Sequence, residues 1–213
     1  MSGILEGFLE GEPFMWMILS VSVVAMGIVA QRAFLFYVKY RLAEDDVTRM
    51  VIQSIEANNY SRALQICQAK AHPLTNILKA GVMRANRSEK EIRRSMDIAT
   101  SDEVARIKKG IPTLPHLSNV ATLLGLLGTI RGLIIAFTGM ESGDAVKRQE
   151  ALSKGIALAF RATFFALFCA VIMILCFVVL SGKQNKLLAK IEYSGNLLID
   201  TLISKAKKVG EKG

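Results

Sequence analysis

The chain has 213 residues, 52% of them hydrophobic and 21% charged, with a formal net charge of +9. That balance is too apolar for one ordinary soluble domain and too charged for a protein lying wholly inside a bilayer. The basic excess is divided between two separated segments, so nucleic acid is not an expected partner.

In chain order, residues 1–13 carry three Glu and no Lys or Arg. Pro13–Gln31 then runs 19 residues without Asp, Glu, Lys or Arg, and Gly110–Ile130 and Ala162–Gly182 each run 21. About 20 apolar residues span a bilayer core as a helix, so three transmembrane helices are predicted, over 14–38, 111–138 and 153–181. Trp16 suits the interface at the start of the first span, and Arg32 at its other end reads as a snorkelling anchor. Segment 39–109 holds 14 basic and 9 acidic residues, and 183–213 holds 7 and 3. Basic segments stay in the cytoplasm, which sets residues 1–13 and loop 139–152 outside, and domain 39–110 and a C-terminal helix or tail, 182–213, inside. No signal-peptide pattern is visible at the start of the chain.

The long inner segment reads as several amphipathic helices. Val47, Met50, Val51 and Ile55 share one face, with Asp45 and Asp46 as start signals and Asn58-Asn59 as a break. Another helix begins within Ser61–Ala69, and Pro73 punctuates after His72. Ser88-Glu89-Lys90-Glu91 has the form of a capping box opening a further helix. Val104, Ile107, Ile111 and Leu114 then step by three and four directly toward the second span. The fold class expected is all-α and membrane-integral, its long helices continuing into a cytoplasmic helical bundle.

The most informative stretch is Leu117–Phe137. Ser118, Thr122, Gly125, Thr129, Gly132 and Ala136 form one small and polar stripe, with Gly128 nearby, and Gly155, Ala159, Thr163, Ala166 and Ala170 form another on the third span. Small residues let helices approach closely in lipid, so Gly125, Gly128, Gly132, Gly155, Ala159 and Ala166 read as packing positions. Counted from loop 139–152, Thr129 and Thr163 reach one depth to within about a turn. That level suits an ion, whereas Ser118 and Thr122 offer a possible extension of the polar stripe. Arg131 and Arg161 lie about 160° away from these threonines and read as interface anchors, within reach of Glu141, Asp144, Glu150 or lipid phosphate. None of the three spans contains Asp or Glu, so a proton path would need a carboxylate from another subunit.

Catalytic chemistry has little support. His72 and His116 are the only histidines, without metal-ligand spacing, and no phosphate loop, dinucleotide fingerprint or nucleophile elbow occurs. Cys67, Cys169 and Cys176 form no redox or metal framework and read as small buried side chains. No metal, cofactor or enzymatic activity is expected.

LLGLLGTIRGLIIAF, Leu123–Phe137, resembles the second-helix signature of the MotA/TolQ/ExbB proton-channel family. GIALAFRATFFALFCAV, Gly155–Val171, resembles its third-helix motif, EGEPFMWMILSVSVVAMGIVAQRAF its first helix, and HPLTNILKAG its cytoplasmic segment. Three spans match the ExbB/TolQ branch. The resemblance implies a homo-oligomer, a pentamer, surrounding a single-span ExbD/TolR-like partner that supplies a membrane aspartate. It implies a stator in the bacterial inner membrane that transmits ion-motive energy to transport, envelope-integrity or gliding machinery, with Thr129 and Thr163 lining the ion path. Leu158 stands where the ExbB/TolQ pattern has a glutamate, Ile172 and Thr122 where prolines are common, and Arg131 where an aromatic is common. The alternative is a passive scaffold or transporter-associated subunit without ion coupling.

Overall fold

A computed structural model describes residues 13–40, 44–69, 72–141 and 144–210, and no strand occurs among them. Among the described residues seven α-helices follow one another: α1 Pro13–Phe34, α2 Glu44–Glu56, α3 Tyr60–Gln68, α4 Pro73–Val82, α5 Glu89–Lys108, α6 Thr113–Thr138 and α7 Ala145–Gly210. A π-helical turn, Leu35–Lys39, continues α1, and a short 3-10 turn, Gly139–Glu141, follows α6. The three predicted spans appear as helices long and apolar enough to cross a membrane. The acidic residues before Pro13 lie outside the described residues.

The contacts divide the chain into two compact units, one formed by residues 1–32 and 110–180 and the other by 33–109 and 181–213. In the first, α1 and the membrane part of α7 each run antiparallel to α6. Phe14 near the start of α1 lies by Gly128, whereas Ile28 and Arg32 near its end lie by Gly110. The α6–α7 seam is lined by small residues, with Ala121, Gly125, Gly128, Gly132 and Ala136 facing Gly155, Ala159, Ala162, Ala166 and Ala170. Large apolar residues such as Leu123, Ile134, Phe160, Phe164 and Leu175 point outward. This is the reverse of a soluble bundle: small residues close the interior and bulky ones face a surface suited to lipid or other membrane helices.

The second unit is a conventional amphipathic bundle. Val51, Ile55, Leu74, Ile77, Leu78, Ile92, Met96, Ile107 and Leu198 are buried together, each contributing about 1.5–3 kcal/mol relative to exposure. Thr48 donates to Ser194 across 3.1 Å in this core. Lys205 donates to the Ile55 carbonyl and, at 3.2 Å, to that of Glu56, so a distant ammonium caps the C-terminus of α2.

Asn58 and Asn59 divide the work of the expected break. Asn58 takes φ +61°, its N–H donates to Ile55 and that of Asn59 to Ser54; this is the two-bond Schellman ending of a helix. Asn59 Oδ1 then accepts from Arg62 N at 3.0 Å as the N-cap of α3.

Two local expectations are corrected. Ser88 is the N-cap of α5, but its side chain makes no cap bond. The capping box that does form belongs to His72 and Thr75, with Pro73 inside the first turn of α4. The run toward the second span is also interrupted: α5 stops at Lys108 and Gly110 has φ +81°, a conformation unfavourable for residues with a Cβ. The third span, in contrast, continues without a break as α7, through Gly182 and into the segment expected as a C-terminal helix or tail. Its start at Ala145, where Asp144 Oδ1 accepts from Val146 N at 3.0 Å, brings helix into the stretch expected as loop 139–152.

Candidate functional site

The site is built on the seam between α6 and α7. A Cβ placed on Gly132 would stand 2.6 Å from Ala159 N and 2.7 Å from the Gly155 carbonyl. One on Gly155 would stand 2.6 Å from Ala136 N. Main chain therefore meets main chain here, and the helices are as close as glycine permits. Gly125 faces Ala166 and Thr163, and Gly128 faces Ala162. Ser118 is buried in the same seam and donates to the Ala170 carbonyl at 3.1 Å, acting as a cross-link between the helices.

These contacts fix the relative height of the hydroxyls. Thr163 Oγ1 donates toward the carbonyls of Gly125 on α6 and Ala159 on its own helix, each at 3.3 Å. It stands level with Gly125–Leu126, so Thr129 lies about one turn beyond it and Thr122 about one turn before it, each step roughly 5 Å. The three threonines form a staggered ladder instead of one level. At about 100° per residue, Thr122 and Thr129 sit to one side of the α6 stripe, and the antiparallel geometry puts Thr163 on that same edge of the seam. All three are half-buried.

Their hydrogen bonds define what the edge can bind. Thr122 donates to the Ser118 carbonyl at 3.1 Å and Thr129 to that of Leu126 at 2.6 Å. A hydroxyl owns one proton, and a carbonyl can only accept. Each threonine thus spends its proton on the main chain and presents lone pairs outward. In this arrangement the edge offers hydroxyl lone pairs to a cation or to a protonated carboxylic acid, and a hydroxyl that rotates off the main chain can donate to a carboxylate.

Arg131 and Arg161 fall on the opposite edge of the seam. Arg131 is half-buried, and its Nη1 has no hydrogen-bond partner among the described residues. Of the acids within expected reach, Glu150 pairs with Lys154 at 2.6 Å, Asp144 caps α7, and the Glu141 side chain lies outside the described residues. Arg32 is buried, with its guanidinium against Gly110.

Elsewhere the chemistry is structural. Burial pushes the Cys67 thiol up to about 11, against the lowering pull of Lys79. No group of three His, Cys, Asp or Glu able to hold a metal occurs among the described residues. Sequence reasoning missed the Tyr37 ring as a seat for Lys183, whose Nζ lies 3.5 Å from its centroid. The π turn sets Tyr37 there, and helical periodicity contains no signal for that extra residue.

A model of the MotA/TolQ/ExbB proton channel family matches residues 69–193, which include α4, α5, α6 and α7 as far as residue 193. A Synechocystis protein named as ExbB-like biopolymer transport protein 1 is 28% identical over 186 residues, 86% of this chain and 72% of that protein. A Methanothermobacter thermautotrophicus protein named as an ExbB homolog is 23% identical over 193 residues, 89% and 67% of the two chains. The Tol-Pal system protein TolQ of Haemophilus influenzae is 30% identical over 92 residues, 43% of this chain and 40% of TolQ. With three helices able to cross a membrane and a family match over more than half its length, this multi-pass membrane chain belongs to the MotA/TolQ/ExbB proton channel family.

Proposed function

We propose that this chain is an ExbB/TolQ-like stator subunit of an ion-driven motor in the bacterial inner membrane. Five copies surround a single-span ExbD/TolR-like partner whose membrane aspartate carries the ion, and Thr129 and Thr163 line its route. The observation that carries the reading is the threonine ladder, whose outward lone pairs match a carboxyl group that arrives protonated or a bare cation. The lack of Asp and Glu in all three apolar runs fits a titrating group brought by another chain. The N-terminus faces the periplasm and the bundle the cytoplasm, in keeping with the basic segments 39–109 and 183–213. Family membership favours channel and energy-transduction chemistry over enzymatic turnover.

The test replaces hydroxyl by methyl at constant shape. Thr129→Val and Thr163→Val are each expected to abolish ion-driven function in the host while the complex, weighed by native mass spectrometry, keeps its composition. Full activity in both variants would refute the ion path. Function indifferent to an uncoupler would favour a passive scaffold.

A further inference from the structure

We propose that His72 is a pH-sensitive joint: its neutral imidazole holds the π turn that continues the first span against the start of α4, and protonation releases it. The geometry comes from three linked contacts within the bundle unit. First, His72 is 2% exposed, and its Nδ1 accepts from Leu74 N at 3.2 Å. Second, its main chain is bound reciprocally by Thr75, with His72 N donating to Oγ1 at 3.2 Å and Oγ1 donating to the His72 carbonyl at 2.8 Å. Third, its ring stands edge-on to Tyr40, with centroids 5.7 Å apart and planes at 82°. Tyr40 in turn meets the buried ring of Phe36 at 5.9 Å and 68°, and its N–H closes the π turn onto the Leu35 carbonyl at 2.8 Å.

An Nδ1 that accepts must be unprotonated. The imidazolium carries a proton on both nitrogens, so protonation sets Nδ1–H against Leu74 N–H and turns a cap into a clash of donors. The ring then gains by leaving its buried seat for water, and Tyr40 loses the edge it packs on. No other histidine of the chain occupies such a position: His116 is exposed.

The surrounding charges decide the direction. Glu103 on α5 favours the protonated ring, but its carboxylate is already held by Asn76 at 2.8 Å and Arg106 at 3.3 Å. A main-chain hydrogen bond to Tyr40 also favours the protonated ring. Burial outweighs these and holds the His72 imidazole below its ordinary value of 6.5. A depressed base stabilises the closed joint fully above the ordinary imidazole value. That stabilisation is lost as pH falls from there toward the lowered value, by up to about tenfold per pH unit in the closed-to-open ratio.

The inference does not depend on the motor reading, because its test is structural. Hydrogen exchange on the full-length protein in detergent would follow peptides covering 35–40 and 72–78 at pH 7.5, 6.5 and 5.5, corrected for intrinsic rates. The control is His72→Asn, which keeps a cap acceptor and cannot titrate. Protection in both peptides is expected to fall by up to about tenfold between pH 6.5 and 5.5 in the native chain and to stay level in the variant. Equal pH dependence in the two, or none in the native chain, would overturn the joint. Should His72→Asn fail to fold, NMR titration of the two imidazoles, assigned through His116→Gln, replaces it. A His72 midpoint at or above the ordinary value of 6.5 would overturn the proposal equally.

Discussion

Replacing Gly132 by alanine tests whether the seam is closed as tightly as its geometry implies. The added methyl would lie 2.6 Å from Ala159 N, 2.7 Å from the Gly155 carbonyl and 2.8 Å from Ala159 Cα. Ordinary contact begins at 3.4 Å, and all three obstacles are main chain, so no side chain can rotate away. The helices must part by several tenths of an ångström, and overpacking of this kind costs about 1–3 kcal/mol. Removing a glycine from a helix interior returns about 0.5–1 kcal/mol. The net loss is therefore centred near about 1 kcal/mol and reaches about 2.5 kcal/mol at most, a factor of roughly 5 in the folding equilibrium at the centre. Gly27→Ala isolates the favourable part, because nothing lies within 4 Å of its new methyl. Both variants would be purified in detergent and unfolded thermally, with circular dichroism at the helix band as the signal. Gly132→Ala should melt clearly below the parent and Gly27→Ala at or above it. Equal midpoints for the two would show that α6 and α7 do not meet main chain to main chain.

Ser118→Ala removes the buried cross-link to the Ala170 carbonyl and should cost about 0.6 kcal/mol, the average for such bonds between membrane helices; a loss above about 2 kcal/mol by the same melting assay would mean that the bond does more than join two helices. Asn59→Ala should cost about 1 kcal/mol through loss of the α3 cap, and hydrogen exchange should show that loss concentrated at Ser61–Ala63. Cys67, buried and with its thiol raised to about 11, should resist maleimide at pH 7.5 in the folded protein and react on denaturation. Rapid labelling of the native chain at that position would contradict its placement.

The spans and the packing stripes were legible because lipid imposes simple requirements on a sequence. An apolar run without charge has few alternatives to a helix, and glycine at steps of three and four has few uses other than close approach. The identity of the seam residues followed from that periodicity. Relative height followed only to about a turn, because it depends on which Cβ atoms collide; Gly132 against Gly155 sets Thr163 about one turn from Thr129. Caps divided similarly. Ser88 has the residue types of a capping box but no side-chain bond, whereas His72, rarely an N-cap, takes the role because burial leaves Leu74 N no water to bind. The interruption at Gly110 was hidden by hydrophobic positions that keep their phase across it. For residues 183–210 the sequence left helix or tail open, and the helix that forms rests on Leu187, Ile191, Leu198 and Leu202 being buried.

The small-residue stripes also carry an ambiguity that two side chains, beside Gly132 and Gly155, help to resolve. Because small positions recur every three or four residues on both α6 and α7, sliding one helix by a turn, about 5.4 Å, would again oppose small to small. Dispersion alone would leave neighbouring alignments close in energy, like a rule with graduations and no numerals. Ser118 on the Ala170 carbonyl and Thr163 on that of Gly125 supply the numerals. Any slip breaks both bonds at once and drives the β-branched Thr163 toward a place shaped for a smaller residue. The hydroxyls of this seam thus have a duty prior to any ion: they tell two nearly periodic helices where to stop.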